Sequence, residues 1–238
     1  MGIRLADKND SIPWARKHQP KSFKDVVGQS EAAEALIKFV RDFDRKRSKK
    51  KAALLYGPVG CGKTSSVYVV ASELGLEVLE TNASDFRNAD GINSVAGAAS
   101  RQLSLFGRGK IILIDEIDGI SGQQDRGGVG AIQDVIEGSA FPVVMTANDP
   151  FDKKFAPLRK ASAMIEFRQL SSAAVKDALA KVAASEKVKV DDDTLAKLAN
   201  RSAGDLRGSI TDLQLLCSGT NKLTREMVDE LSERNRTE

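Results

Sequence analysis

The sequence is short of the residues that many catalytic and metal chemistries draw on. It has a single histidine, His18, so a histidine general base or a multi-histidine metal site has nothing to build on. It has only two cysteines, Cys61 and Cys217, far apart in the chain, too few for a disulfide scaffold or a cysteine–zinc cluster. Both read as reduced thiols of an intracellular protein, cytoplasmic or, in a eukaryote, nuclear. No run approaches the ~18 apolar residues of a membrane span, and the opening Met1–Lys8 has no long apolar core. Charge of one sign is scarce too. The 36 Lys and Arg against 33 Asp and Glu leave +3, too little for a protein that coats nucleic acid, so any such contact needs a local patch. Internal repeats and low-complexity tracts are also missing.

What is present is the composition of a soluble globular protein, 41% apolar and 29% charged, at a length that suits one large domain or two modest ones. The most informative stretch is Gly57-Pro58-Val59-Gly60-Cys61-Gly62-Lys63-Thr64. It matches G-x-x-x-x-G-K-[ST] and lies between an apolar run, Ala52–Tyr56, and a helical segment that begins at Lys63 and includes Ser65. Glycines let such a loop curl so that its N–H groups converge on phosphate oxygens, and the helix adds the positive end of its dipole. Lys63 supplies a cation for the β and γ phosphates, and Thr64 a hydroxyl for Mg²⁺.

Lys110-Ile111-Ile112-Leu113-Ile114-Asp115-Glu116 is the second decisive stretch. Four apolar residues in succession predict a strand buried on both faces, and ligands of parallel sheets bind beyond the carboxyl ends of the strands. Asp115 is the candidate Mg²⁺ ligand, and Glu116 the group that orients and polarises an attacking water. A third buried strand, Phe141–Ala147, ends at Asn148. Its amide could hold water or touch the γ-phosphate, or it could form the turn before Asp149-Pro150, and the residues leave these two readings equal. Glu77–Thr81 and Ala163–Phe167 predict two further short strands, Ala131–Glu137 a short helix, and Ser30 a cap for the helix after it. Residues 92–103 carry a helical apolar spacing. The basic run Arg45–Lys51 reads as a solvated loop, and Trp14 as an anchor for the amino-terminal arm.

From Leu170 the apolar positions recur only at helical spacing: Val175/Ala178/Leu179/Val182, Leu195/Leu198/Ala199 and Leu206/Ile210/Leu213/Cys217, with a fourth segment over 224–231. The predicted architecture is an α/β domain over 1–168, a five-stranded parallel sheet flanked by helices, followed by a small all-helical domain over 169–238.

Taken together, the phosphate loop, the strand ending Asp115-Glu116, the strand ending Asn148 and the helical tail resemble the AAA+ P-loop NTPases. Pro13-Trp14 through Pro20, Val26-Val27-Gly28-Gln29, Asn82-Ala83-Ser84-Asp85 and Gly204-Asp205-Leu206-Arg207 narrow the resemblance to the clamp-loader branch, the replication factor C subunits, and within it to the archaeal large-subunit type. The resemblance covers nearly the whole chain. It implies ATP and Mg²⁺ as ligands, with Val26 and Val27 lining the adenine pocket, Asn148 as first sensor and Arg207, on the lid, as second sensor reaching the γ-phosphate. It implies replication factor C small subunits as partners in a hetero-oligomer, a pentamer in this family, together with a sliding clamp and primer–template DNA, and no membrane. It implies an ATPase that loads the clamp. A nucleotide-gated binding module with incidental hydrolysis, or another AAA+ helicase or remodeller, are the alternatives. Arg87 and Arg101 are candidates for DNA backbone contact, though both also read as plain surface arginines.

The sequence departs from the family pattern in three places. Arg16, His18 and Gln19 replace the arm's usual Glu, Tyr and Arg, which removes arm contacts to adenine and ribose from the expectation. Ala161 stands where small subunits carry the arginine finger, as fits a large subunit. The family continues into a helical collar, whereas this chain stops at Glu238: it is a fragment, or its assembly differs.

Overall fold

The computed structural model describes residues 12–44, 46–84, 109–120 and 126–234. The helical spacing over 92–103, Arg87 and Arg101 lie outside the described residues. The chain divides into two compact units, residues 20–168 and residues 169 onward together with the arm up to Gln19.

The larger unit is built on five parallel strands, β1 (Ala52–Tyr56), β2 (Glu77–Asn82), β3 (Lys110–Asp115), β4 (Val143–Ala147) and β5 (Ser162–Glu166), in the spatial order β2-β3-β4-β1-β5. The apolar runs became strands because a strand with helices on both faces can bury every side chain. Ala52 to Leu55, Ile111 to Ile114 and Val143 to Met145 are all fully buried. Ala52, Leu54, Ile112, Ile114, Val143 and Met145 form one face of the core, packed with Ile132, Val135, Ile136 and Leu158. Strand alternation turns the residues between them, Ala53, Leu55, Ile111, Leu113 and Val144, to the opposite face. Three strands meet the helix α3 (Lys63–Leu74), and β5 meets α2 (Ser30–Arg41). On the other face lie α4 (Arg126–Gly138) and α5 (Ala156–Ala161).

Register places the functional ends together. Tyr56 lies opposite both Ala147 and Glu166, Ile114 opposite Met145, and Asn82 opposite Asp115, so the carboxyl ends of all five strands share one edge. Two local expectations are corrected. Ser30 is the first residue of α2 and no side chain caps that helix, because Gln29, at the cap position, spends its amide elsewhere. The short helix expected over 131–137 begins five residues earlier, at Arg126, and takes in Gly127, Gly128 and Gly130.

The smaller unit contains α6 (Ser172–Ser185), α7 (Asp192–Arg201), α8 (Leu206–Leu216) and α9 (Arg225–Arg234), with the short arm helix α1 (Trp14–Lys17) against α8. Ser171, Asp191 and Asp205 each accept from the N–H three residues on, which satisfies one orphan donor at the start of α6, α7 and α8. Where no strand was expected, one isolated bridge joins Lys189 and Lys222. The arm is pinned polarly. Trp14 N–H donates to Gln214 Oε1 at 2.8 Å, and Lys17 Nζ and His18 Nε2 meet Glu186 Oε1 at 2.8 and 2.5 Å. No helix among the described residues is long and apolar enough to cross a membrane.

Candidate functional site

The site starts where β1 runs out. Tyr56 is followed by a loop with positive φ at Gly57 (144°), Gly60 (67°) and Gly62 (100°), and Gly62 then opens α3 in the left-handed region. No side chain caps α3, so the amides at its start are left to the loop's own concavity. A loop of this shape, ending on a twelve-residue helix, is suited to a phosphate group.

Lys63 is 9% exposed, and its ammonium lies within the loop. It donates to Gly57 O (2.7 Å), Pro58 O (2.8 Å) and Asn148 Oδ1 (3.0 Å). Thr64 Oγ1 donates to Asp115 Oδ1 at 3.0 Å. The sequence-predicted Lys63, Thr64, Asp115 and Asn148 are therefore brought together from α3, the end of β3 and the residue that follows β4. Glu116 directly follows Asp115 and is exposed, with φ 56° and ψ 53°. Asn82 Nδ2, at the end of β2, lies 3.5 Å from its Oε2. Cys61 is buried and its thiol donates to Pro58 O. Val59 is 42% exposed at the loop's tip, while Ser65 is half-buried in the first turn of α3.

Val26 and Val27 are half-buried just before Gln29. Gln29 ties that segment to the loop. Its amide donates to Cys61 O (3.3 Å) and Arg168 O (2.6 Å), and its carbonyl accepts Arg168 N–H (3.2 Å). Arg207 lies in the first turn of α8 in the smaller unit, exposed and without an ion pair among the described residues. Ala161 ends α5 and packs on the sheet core. Arg159 in the same helix is committed locally, with its guanidinium donating to Pro150 O and Asp152 O and lying over the Phe151 ring.

Sequence reasoning missed three further groups. Thr146 Oγ1 donates to Asp115 Oδ1 at 2.5 Å and accepts Glu116 N–H at 3.0 Å. Asp118 Oδ2 accepts Asn148 N–H at 2.9 Å. Tyr68, one helical turn beyond Thr64, donates to Glu80; burial and the Glu80 carboxylate push its hydroxyl up to about 12. The only signal any of them gave was a polar residue inside or next to an apolar run.

The donor set fits magnesium. A hydroxyl and a carboxylate oxygen 3.0 Å apart offer two hard oxygen ligands, the kind taken by an ion that completes its shell with water and phosphate oxygens.

Comparison with known proteins agrees with the geometry. Residues 53–170 match the model of the "ATPase family associated with various cellular activities (AAA)", and residues 177–217 that of the "RCF1/5-like, AAA+ ATPase lid domain". The chain is 49% identical over 221 residues to the replication factor C large subunit of Staphylothermus marinus, covering 93% of this chain and 52% of that protein. It is 48% identical over 205 residues to the replication factor C large subunit of Nanoarchaeum equitans (86% and 47%), and 41% identical over 228 residues to that of Aeropyrum pernix (95% and 48%). The chain thus spans about half the length of the curated relatives it matches. Among solved structures, two RuvB variants of Thermotoga maritima share the fold, with TM-scores of 0.67 and 0.68 at 23% and 21% identity; they cover 90% and 91% of this chain, and it covers 72% and 73% of theirs.

Proposed function

This chain belongs to the AAA+ ATPase family, and from that premise we propose that it binds ATP with Mg²⁺ at the carboxyl edge of its sheet and hydrolyses it as part of a clamp loader. The observation that carries the reading is the convergence of Lys63, Thr64, Asp115 and Asn148 at the ends of neighbouring strands, through contacts of 3.0 Å.

The chemistry is positioning and charge stabilisation, with no covalent step for the protein. The loop amides and Lys63 hold the phosphates. Thr64 and Asp115 would hold Mg²⁺, which would supply positive charge to offset that of the phosphates. Glu116 orients the attacking water and draws on its proton. Asn148 holds the Lys63 ammonium in place and faces the same phosphate. Val26 and Val27 line the adenine side. Arg207, on the separate helical unit of residues 169–238, is the second sensor, a cation whose pairing with the γ-phosphate distinguishes triphosphate from diphosphate. The partners are replication factor C small subunits, a sliding clamp and primer–template DNA, with Arg87 and Arg101 as candidate backbone contacts. An arginine from a neighbouring subunit completes the site, and its lack costs ~10³–10⁵ in rate in related phosphoryl transfers.

The test is a pair of measurements on the purified chain. Labelled ATP should bind, and turnover should be slow until the smaller subunits are added. Glu116→Gln should keep ATP affinity and abolish that turnover. Loss of ATP binding in Glu116→Gln, or full-speed hydrolysis by the chain alone, defeats the assignment.

A further inference from the structure

The strand β4 is apolar except for one residue. Val143, Val144, Met145 and Ala147 are buried, and Thr146 among them is 1% exposed. A valine of the same shape would fill this position without burying a hydroxyl, which is unfavourable unless every hydrogen-bonding need is met. The need is met at two points that matter. A hydroxyl has one hydrogen and two lone pairs. Thr146 gives its hydrogen to Asp115 Oδ1 (2.5 Å) and lends a lone pair to Glu116 N–H (3.0 Å).

Those two bonds reach consecutive residues with different tasks. At Asp115 the bond falls on the same carboxylate oxygen that Thr64 Oγ1 approaches at 3.0 Å. At Glu116 it falls on the backbone of a residue in the left-handed region, φ 56° and ψ 53°, which a side chain with a Cβ adopts only when its surroundings hold it there. The strand order puts β4 beside β3, so this brace runs from the rigid middle of the sheet to the turn that carries both carboxylates.

We propose that Thr146 is a positioning residue for nucleotide hydrolysis: one buried hydroxyl fixes the Asp115 carboxylate and the Glu116 turn as a single unit, so that metal holding and water orientation share one geometry. The proposal rests on the nucleotide-site reading above and deepens it. Partners that orient a metal-holding carboxylate typically change metal affinity or activity by 10–100-fold when removed.

The experiment compares the intact chain with Thr146→Val and Thr146→Ser, using anisotropy of a labelled ATP titrated with Mg²⁺, together with steady-state hydrolysis in the presence of the smaller subunits. For Thr146→Val the expectation is a half-saturating Mg²⁺ concentration and a kcat each worse by roughly 10–100-fold. Nucleotide affinity without Mg²⁺ should stay within about twofold of the parent, because the loop and Lys63 are untouched. Thr146→Ser should restore both quantities. A Thr146→Val chain that only melts earlier, with the parent's Mg²⁺ dependence and kcat, overturns the proposal. Should Thr146→Val fail to fold, Thr146→Ala, which removes the hydroxyl without adding a branch, separates the same two outcomes: a parent-like Mg²⁺ dependence overturns the proposal and a weakened one supports it. A parent chain that binds no ATP at all would instead defeat the nucleotide-site reading, so the two failures are distinguishable.

Discussion

Replacing Gly57 by Ala tests how the phosphate loop is anchored. A Cβ at this position would lie 1.9 Å from Phe167 O and 2.9 Å from Phe167 C, and its φ of 144° is one that L residues rarely adopt. The obstructing atoms are backbone, so no side-chain rotation relieves them. Phe167 is itself fixed, with its ring fully buried and its N–H bonded to Tyr56 O at 2.7 Å. Three costs follow: ~1–3 kcal/mol for the conformation, ~1–3 kcal/mol for forcing the end of β5 outward, and ~1 kcal/mol for the strained hydrogen bond. Together they come to roughly 3–7 kcal/mol, comparable to the whole stability of a typical domain. At a few degrees per kcal/mol, a chain of this size should melt roughly 10–20 °C lower. The displacement also pulls on Arg168, which Gln29 ties to Cys61 in the loop, so ATP affinity should fall as well. Gly62→Ala is the control. Its φ of 100° is equally unusual but a Cβ there meets nothing within 4 Å, so only the conformational ~1–3 kcal/mol applies. Thermal unfolding followed by far-ultraviolet circular dichroism decides the matter. Equal shifts for the two variants would refute the claim that contact with Phe167 sets the larger cost.

Two further outcomes follow from the side chains. Lys63→Met removes a cation that the loop places for phosphate; losing two charge-assisted hydrogen bonds at ~1.5–3 kcal/mol each should weaken labelled-ATP binding by at least about 100-fold, and an affinity near the parent's would refute the role. Burial of Glu186 would raise its carboxyl, but the hydrogen bonds and charges of Lys17 and His18 outweigh that and hold it below its ordinary value. A lowered carboxyl stabilises above the ordinary glutamate range and loses that contribution as pH falls through its folded value. The arm should therefore loosen in acid, below about pH 4, by on the order of 1 kcal/mol, less in high salt. Trp14 emission against pH reports it, and Glu186→Gln should flatten the response; an unchanged acid transition in that variant would show the pairing to be idle.

How much could be read in advance depends on whether a feature is written along the chain or across it. β1 spans the predicted Ala52–Tyr56, and α3 begins at the predicted Lys63, because a buried apolar run and a glycine-bounded loop are local patterns. Glycines misled at α4, whose expected start was Ala131 and whose observed start is Arg126. Gly128 is buried in that helix, where a Cβ would meet Ile120 Cγ2 at an ordinary contact distance of 3.5 Å, so burial against the sheet holds the segment helical despite its glycines. The basic run hid a structural task. Lys50 Nζ donates to Lys160 O and Lys51 Nζ to Glu137 O, carbonyls in the last turns of α5 and α4, where a cation complements the helix dipole. No spacing rule foretells such contacts, since the partners are 110 and 86 residues away.

The same distinction explains why the candidate site was legible as residues but not as a machine. Lys63 and Asn148 are 85 positions apart, and Thr64 and Asp115 51 apart. What joins them is the strand order, which places β4 between β3 and β1. The end of β4 therefore faces both halves of the site. Thr146 reaches sideways to the Asp115 carboxylate at the end of β3 and to the backbone N–H of Glu116 just past it, and Asn148 reaches the other way, to the lysine after β1. Asp118 closes the circuit by accepting the backbone N–H of Asn148, so the turn after β3 also sets where that amide sits. A strand inserted between the phosphate loop and the acidic turn can thus coordinate the two without contributing a catalytic acid or base. On physical grounds, substitutions at its end should uncouple metal holding from phosphate holding before they remove either.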